Sequence, residues 1–181
     1  LGPEIVENYN DFTPPASFRK LLVDLLRAVP SKYLVGLKTV ILSNKSALTR
    51  DQRKRKLWSR KRKIRMADAL GSYQAAWSSA PASITLYVDN IVGREPGFIW
   101  KIPALRYLPI APVIYHEIGH HIHAVHEPVY KGKEDVADYW SRRLSRAFFR
   151  RRYWYLVPAA IVLSWARDFA KWIAPKKAAE P

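Results

Sequence analysis

The 181-residue chain has no cysteine, a single methionine (Met66) and only seven glycines. Without cysteine there is no disulfide scaffold, no thiolate metal site and no Cys nucleophile, and the chain suits a reducing compartment. The glycines are scattered and form no phosphate-binding loop. Acids are scarce as well: 15 Asp and Glu stand against 31 Lys and Arg, a net charge of +16 with histidine neutral. Such a field attracts polyanions, either nucleic acid or an anionic membrane face, and does not choose between them. Long apolar runs are missing too, none reaching the roughly 18–20 residues that span a bilayer. The expected localisation is cytoplasmic, with peripheral membrane association as the variant. What is present excludes wholesale disorder: 49% of residues are hydrophobic and 13% aromatic. The length suits one domain with a short appendage.

The stretch to Thr13 has no clear period. From Pro14 the pattern turns helical, with Phe18, Leu21, Leu22, Leu25, Leu26 and Val29 on one face and Pro30 as the stop. Lys38–Leu42 reads as a short buried strand, and 71–77 looks extended. Over 83–89, Ile84, Leu86 and Val88 alternate with Thr85, Tyr87 and Asp89, the period of a half-buried strand. Four prolines between 94 and 112 blur that region. A helix should be running by Val113 and end near His126, before Pro128. A second should run from Gly132 or Lys133 to Arg152. Between Arg50 and Arg65 lie ten Lys/Arg and one acid, Asp51. So dense a charge reads as an exposed loop or a frayed helix.

All five histidines fall between His116 and His126. His116-Glu117-Ile118-Gly119-His120 is an H-E-x-x-H motif on a helical segment. At 100° per residue its two histidines are about 40° and one turn apart, so both imidazoles can reach one tetrahedral Zn²⁺. Glu117, one position on, falls beside the metal, where a carboxylate can deprotonate a water. Ile114, Ile118 and Val125 lie on the opposite face, toward a core. Three residues compete as third ligand. His126 has the right spacing for a metzincin, but His123 stands where that pattern needs glycine, and no methionine follows for a Met-turn. His123 shares the metal face but lies about 10 Å along the axis, so it can only line the cleft. Glu134, at the start of the next helix, completes a His₂Glu set with an open fourth position, and is preferred. Asp138, one turn later, can accept the free N–H of a ligating histidine.

H-E-I-G-H followed by E-D-V-A-D (Glu134 to Asp138) resembles the gluzincin clan of zinc metallopeptidases. The compact size is similar to minigluzincins, and the combination is also similar to ImmA/IrrE-type metallopeptidase domains. The resemblance spans roughly residues 14–150 and implies a compact α+β zincin-like domain. Its parts would be a backing helix, a sheet of three or more strands, an active-site helix and a glutamate helix. It implies a substrate-binding edge strand, assigned to Ile84, Thr85, Leu86, Tyr87 and Val88. Tyr130 and Tyr139 are the candidate oxyanion donors.

The organisation expected is a metallopeptidase domain over 1–152, carrying the 50–65 basic insertion, and an apolar to amphipathic helical tail over 153–181. The function expected is zinc-dependent endoproteolysis of extended peptide or protein segments, with Glu117 as general base. Two alternatives stand beside it. One is a latent or regulatory zincin domain that mainly binds nucleic acid or a protein; the other is a membrane-associated interaction protein. Arg50 to Arg65, and Arg142 to Arg152, are the surfaces on which nucleic acid or an anionic membrane would be met. The tail reads either as an interfacial anchor or as a helix packed on the domain.

Overall fold

In the computed structural model, which describes residues 2–59, 62–126 and 132–156, the chain opens with strand β1 (Glu4–Asn8), helix α1 (Phe18–Arg27) and strand β2 (Leu37–Ser43). A short helix α2 (Arg50–Lys54) and a hairpin of β3 (Lys56–Ser59) and β4 (Arg62–Arg65) follow. Next come β5 (Gly71–Gln74), β6 (Ala82–Tyr87) and the helices α3 (Val88–Gly93) and α4 (Gly97–Lys101). Two long helices, α5 (Tyr107–His126) and α6 (Lys133–Arg152), carry the motif residues. The class is α+β. Among the described residues no helix is long and apolar enough to cross a membrane. The chain divides into two units, Leu1–Ser145 and Arg146–Pro181, the break falling inside α6.

In the first unit one mixed sheet runs in the order β1–β2–β6–β5, with β1, β2 and β6 parallel and β5 antiparallel to β6. Helix α1 provides the β-to-β crossover that parallel neighbours require. It forms where the apolar period says it should, and Phe18, Leu21, Leu22, Leu25 and Leu26 are all buried. Fully burying side chains of this size contributes about 1.5–3 kcal/mol each before ordering entropy. The register sets Val40 against Ile84 and Leu42 against Leu86, and none of the four is exposed to solvent. Two tyrosines tie α5 to α1: Tyr115 donates to the Leu25 carbonyl at 3.1 Å, and Tyr107 to Asp24 at 2.7 Å.

Several sequence expectations need correction. The N-terminal stretch without a period contains β1, held by parallel pairing with β2. The basic segment is ordered by a capping box, in which Thr49 Oγ1 accepts from the Gln52 amide and Gln52 returns the bond to the Thr49 amide. Its second half is the β3–β4 hairpin rather than a loop. Helix α5 is running by Val113 and ends at His126 as expected; it begins at Tyr107, with Pro109 in its first turn, where a missing N–H is tolerated, and Pro112 inside. Tyr87 alternates away from the main core yet is buried, because Leu48, Ala69, Ile64 and Met66 pack over it. Val125 was expected on the core face of α5 but is 48% exposed, whereas Ile114 and Ile118 are fully buried. The helix has passed the sheet by that point.

In the second unit the last turns of α6 carry Arg150, Arg151 and Arg152, and Phe149 stacks on Tyr153. The expected tail helix lies outside the described residues from 157 onward.

Candidate metal centre

Gly119 decides how α5 and α6 meet. A Cβ at that position would sit 2.6 Å from the Ala137 Cα and 2.8 Å from its carbonyl oxygen. Only glycine opposite alanine lets the two backbones come this close. A glycine inside a helix costs about 1 kcal/mol relative to alanine, and close helix contact is what it gains here. A second tie holds the same crossing: Ser141 Oγ donates to the Pro112 carbonyl at 2.8 Å. Val136, Ala137, Trp140 and Leu144 are buried along α6. That stripe turns Glu134 and Asp138 toward His116 and His120.

The ligand atoms then converge. Glu134 Oε2 lies 3.6 Å from His116 Nε2, and Glu134 Oε1 lies 3.6 Å from His120 Nε2. One donor atom from each of the three residues falls within 4.8 Å of the others. Bonds of about 2.0–2.1 Å in a tetrahedron place ligands roughly 3.3–3.4 Å apart. A two-His, one-carboxylate face on an octahedral ion would place them nearer 3.0 Å. The two 3.6 Å spacings run to different oxygens of the Glu134 carboxylate, and the three side chains together form a group that could hold one metal ion. Asp138 Oδ1 is 3.1 Å from His116 Nδ1. By holding a proton on Nδ1, that carboxylate leaves the Nε2 lone pair directed at the Glu134 side. Burial, with His116 beside it, pulls the His120 pKa down to about 4, so its imidazole is neutral and able to ligate near pH 7.

Glu117 is buried below this group, and burial, reinforced by the nearby Glu134 charge, pushes its pKa up to about 8. A hydrogen bond from the Tyr73 backbone works against that rise. With no cation beside it Glu117 therefore keeps its proton at neutral pH, and a cation held by the neighbouring histidines and Glu134 would favour its ionised form. Its room depends on Gly71, where a Cβ would stand 2.8 Å from Glu117 Oε1 and 2.9 Å from Cγ. The strand bearing Gly71 and Tyr73 is fixed in turn by His121, which is wholly buried. His121 Nε2 lies 3.0 Å from the Val35 carbonyl and Nδ1 lies 3.1 Å from the Tyr73 hydroxyl. A carbonyl can only accept, so Nε2 carries the proton and Nδ1 accepts from Tyr73. Burial lowers the His121 pKa, consistent with that neutral tautomer.

A cavity of about 1120 Å³ opens over these groups, lined by His116, Glu117, His120, His123 and Glu134 on the helices and by Gly71, Ser72 and Tyr73 on β5. His123 lines the cleft without joining the three ligand atoms. His126 lies outside the group, its ring edge-on to Tyr33 at 6.2 Å. Tyr139 is half-exposed, accepts a hydrogen bond from Arg143 at 2.7 Å and does not line the cavity, so it is misplaced for an oxyanion donor. Tyr130 lies outside the described residues. The strand of Ile84, Thr85, Leu86 and Tyr87 is no edge: β6 is paired to β2 on one side and β5 on the other, and Val88 already belongs to α3. Both of its hydrogen-bonding sides are taken, so it cannot add a strand. The cleft is bordered instead by β5, the last strand of the sheet. Sequence reasoning passed over Gly71, Tyr73, Gly119 and His121. Of these only Gly119 carried a signal, as a glycine within a helical motif.

No family model, curated protein or solved structure matches this chain.

Proposed function

We propose that the chain is a zinc metallopeptidase of gluzincin type with a zincin-like fold, hydrolysing extended peptide or protein segments. The observation that carries this reading is the convergence of His116, His120 and Glu134 directly beside a buried Glu117 whose pKa is raised toward neutrality. His116, His120 and Glu134 would hold the zinc, with Asp138 orienting His116. Zinc, when bound there, supplies a Lewis acid that acidifies water and polarises a scissile carbonyl. Glu117 takes the proton of the attacking water on a carboxylate oxygen and delivers it to the departing amide nitrogen. The β5 strand offers its outer side for an extended substrate to pair with by main-chain hydrogen bonds. The Tyr73–His121–Val35 chain keeps that strand, and the amide facing Glu117, in place.

Zinc content and cleavage of a mixed-sequence peptide library, measured on the same samples, test this. Wild type should bind one zinc and cleave. Glu117→Ala should keep the metal and lose cleavage by orders of magnitude. Glu134→Ala should lower zinc affinity markedly. Undiminished cleavage by Glu117→Ala would defeat the mechanism; unaltered zinc affinity in Glu134→Ala would remove the third ligand.

A further inference from the structure

The cleft is electrostatically lopsided once each acid in its wall is followed to its partner. Asp68 is bound to Arg65 at 2.8 Å, Glu117 is buried, and Glu134 faces His116 and His120. Among the described residues of the wall no acid is left over to attract a basic peptide. The bases Arg94 and Lys133 also line the cavity, are exposed, and have no ion-pair partner among the described residues. The surface beyond them continues in the same sign. Arg50, Lys54, Arg55 and Lys56 are exposed and have no ion pair among the described residues. In the β3–β4 register Lys56 stands opposite Arg65 and Trp58 opposite Lys63, while Leu57 pairs with Ile64. Neighbouring pairs point to opposite faces. Ile64 packs against Leu48, Ala69 and Tyr87 and also forms part of the cavity wall. The opposite face, turned away from the Ile64 side that joins the cavity wall, therefore presents Lys56, Lys63 and Arg65 to solvent. The directly opposed Lys56 and Arg65 weaken a two-stranded ribbon that is marginal by itself, and Asp68 on Arg65 offsets part of that repulsion.

We propose that the cleft selects acidic peptide segments. Arg94 and Lys133 meet Asp or Glu side chains inside the cavity, and the β3–β4 ribbon meets those that extend beyond it. This rests on the peptidase reading and names its substrate class. A nucleic acid would engage the ribbon as well, but it gives no role to two bases set in the cavity wall.

Binding separates the two readings because it needs no turnover. Zinc-loaded Glu117→Gln protein is titrated into fluorescent peptides of equal length rich in Asp/Glu, in Asn/Gln or in Lys, and into a labelled oligonucleotide, with anisotropy as the readout. The acidic peptide should bind at least about tenfold tighter than its amide counterpart and weaken steeply with salt. Arg94→Glu with Lys133→Glu should erase that preference, whereas Arg94→Lys with Lys133→Arg should keep most of it. Lys56→Glu with Lys63→Glu should weaken only the longer acidic peptides. Equal affinity for acidic and neutral peptides, no binding of the acidic peptide, or an oligonucleotide that binds more tightly than it would each overturn the proposal. Cleavage of neutral peptides by wild type would meanwhile still stand as evidence for the peptidase.

Discussion

The α5–α6 crossing and the β3–β4 ribbon lie along the same cleft and are built on opposite principles. At the crossing the acids are matched: Asp138 to His116, Glu134 to both histidines, and Glu117 to a strand amide. The backbones there are as close as glycine and alanine allow. On the ribbon one like-charge pair, Lys56 and Arg65, faces across the ladder, and its described anchors are Ile64 and the neighbouring Met66 on a small apolar cluster. Precision is concentrated where atoms must converge to within tenths of an ångström. Long-range attraction falls off slowly by comparison, so a ribbon of bases can act without tight placement.

That contrast can be broken most severely at Gly119. Gly119→Ala forces a methyl group against the Ala137 backbone and should destabilise the fold by about 3 kcal/mol, at the top of the range for overpacking. Denaturant unfolding reads the loss, and a zinc titration should show weakened binding in the same variant. Unchanged stability and affinity would mean that the helices have room to spare.

A smaller effect is expected from pH in the zinc-free protein. Glu117 has a folded pKa near 8 against 4.5 unfolded, so the native state holds the extra proton between those values and stability falls as pH rises. His120 acts in the opposite sense: its folded value near 4 lies below 6.5, so stability rises with pH across that window. The two offset each other from about 4.5 to 6.5, and the Glu117 loss stands alone from about 6.5 to 8. The slope there is at most about 1.4 kcal/mol per pH unit for one proton. Thermal melts across this range should show it, and Glu117→Gln should flatten it. A slope that survives the substitution would assign the titration elsewhere.

The ribbon should answer most weakly, and with the other sign. Lys56→Glu turns a repulsive pair with Arg65 into an attractive one and should raise stability by about 0.2–1 kcal/mol. The same melts measure it; a loss of stability would mean that the pair is not opposed in solution.

These regions also differed in how much the sequence revealed. Helix α1 was legible because its apolar residues recur at helical spacing, and all six named positions are buried. The grouping of His116, His120 and Glu134 was legible because a helix fixes the angle between His116 and His120, while a proline and a new helical start place Glu134. Strand β1 was not, since its Glu-Ile-Val-Glu-Asn sequence is held by pairing with β2 and is mostly exposed. Alternation in Ile84–Val88 indicated a strand, but which strands flank it is decided by residues far away in sequence. Gly71 and Tyr73 were invisible for that reason: their roles exist only once β5 is laid beside α5. The Thr49-to-Gln52 capping box was readable and was hidden by the charge around it.

The parallel pairing of β2 with β6 has a consequence for how this chain can diverge. Everything from Lys45 to the end of β4 lies inside the loop that this pairing closes. Loop-closure entropy grows with the logarithm of length, so even doubling such a loop costs only ~0.6 kcal/mol. The ribbon can therefore lengthen, shorten or change sign at a cost below that of one truncated core leucine. The basic surface can drift quickly by this route while the helix crossing and the His116, His120 and Glu134 group stay as they are.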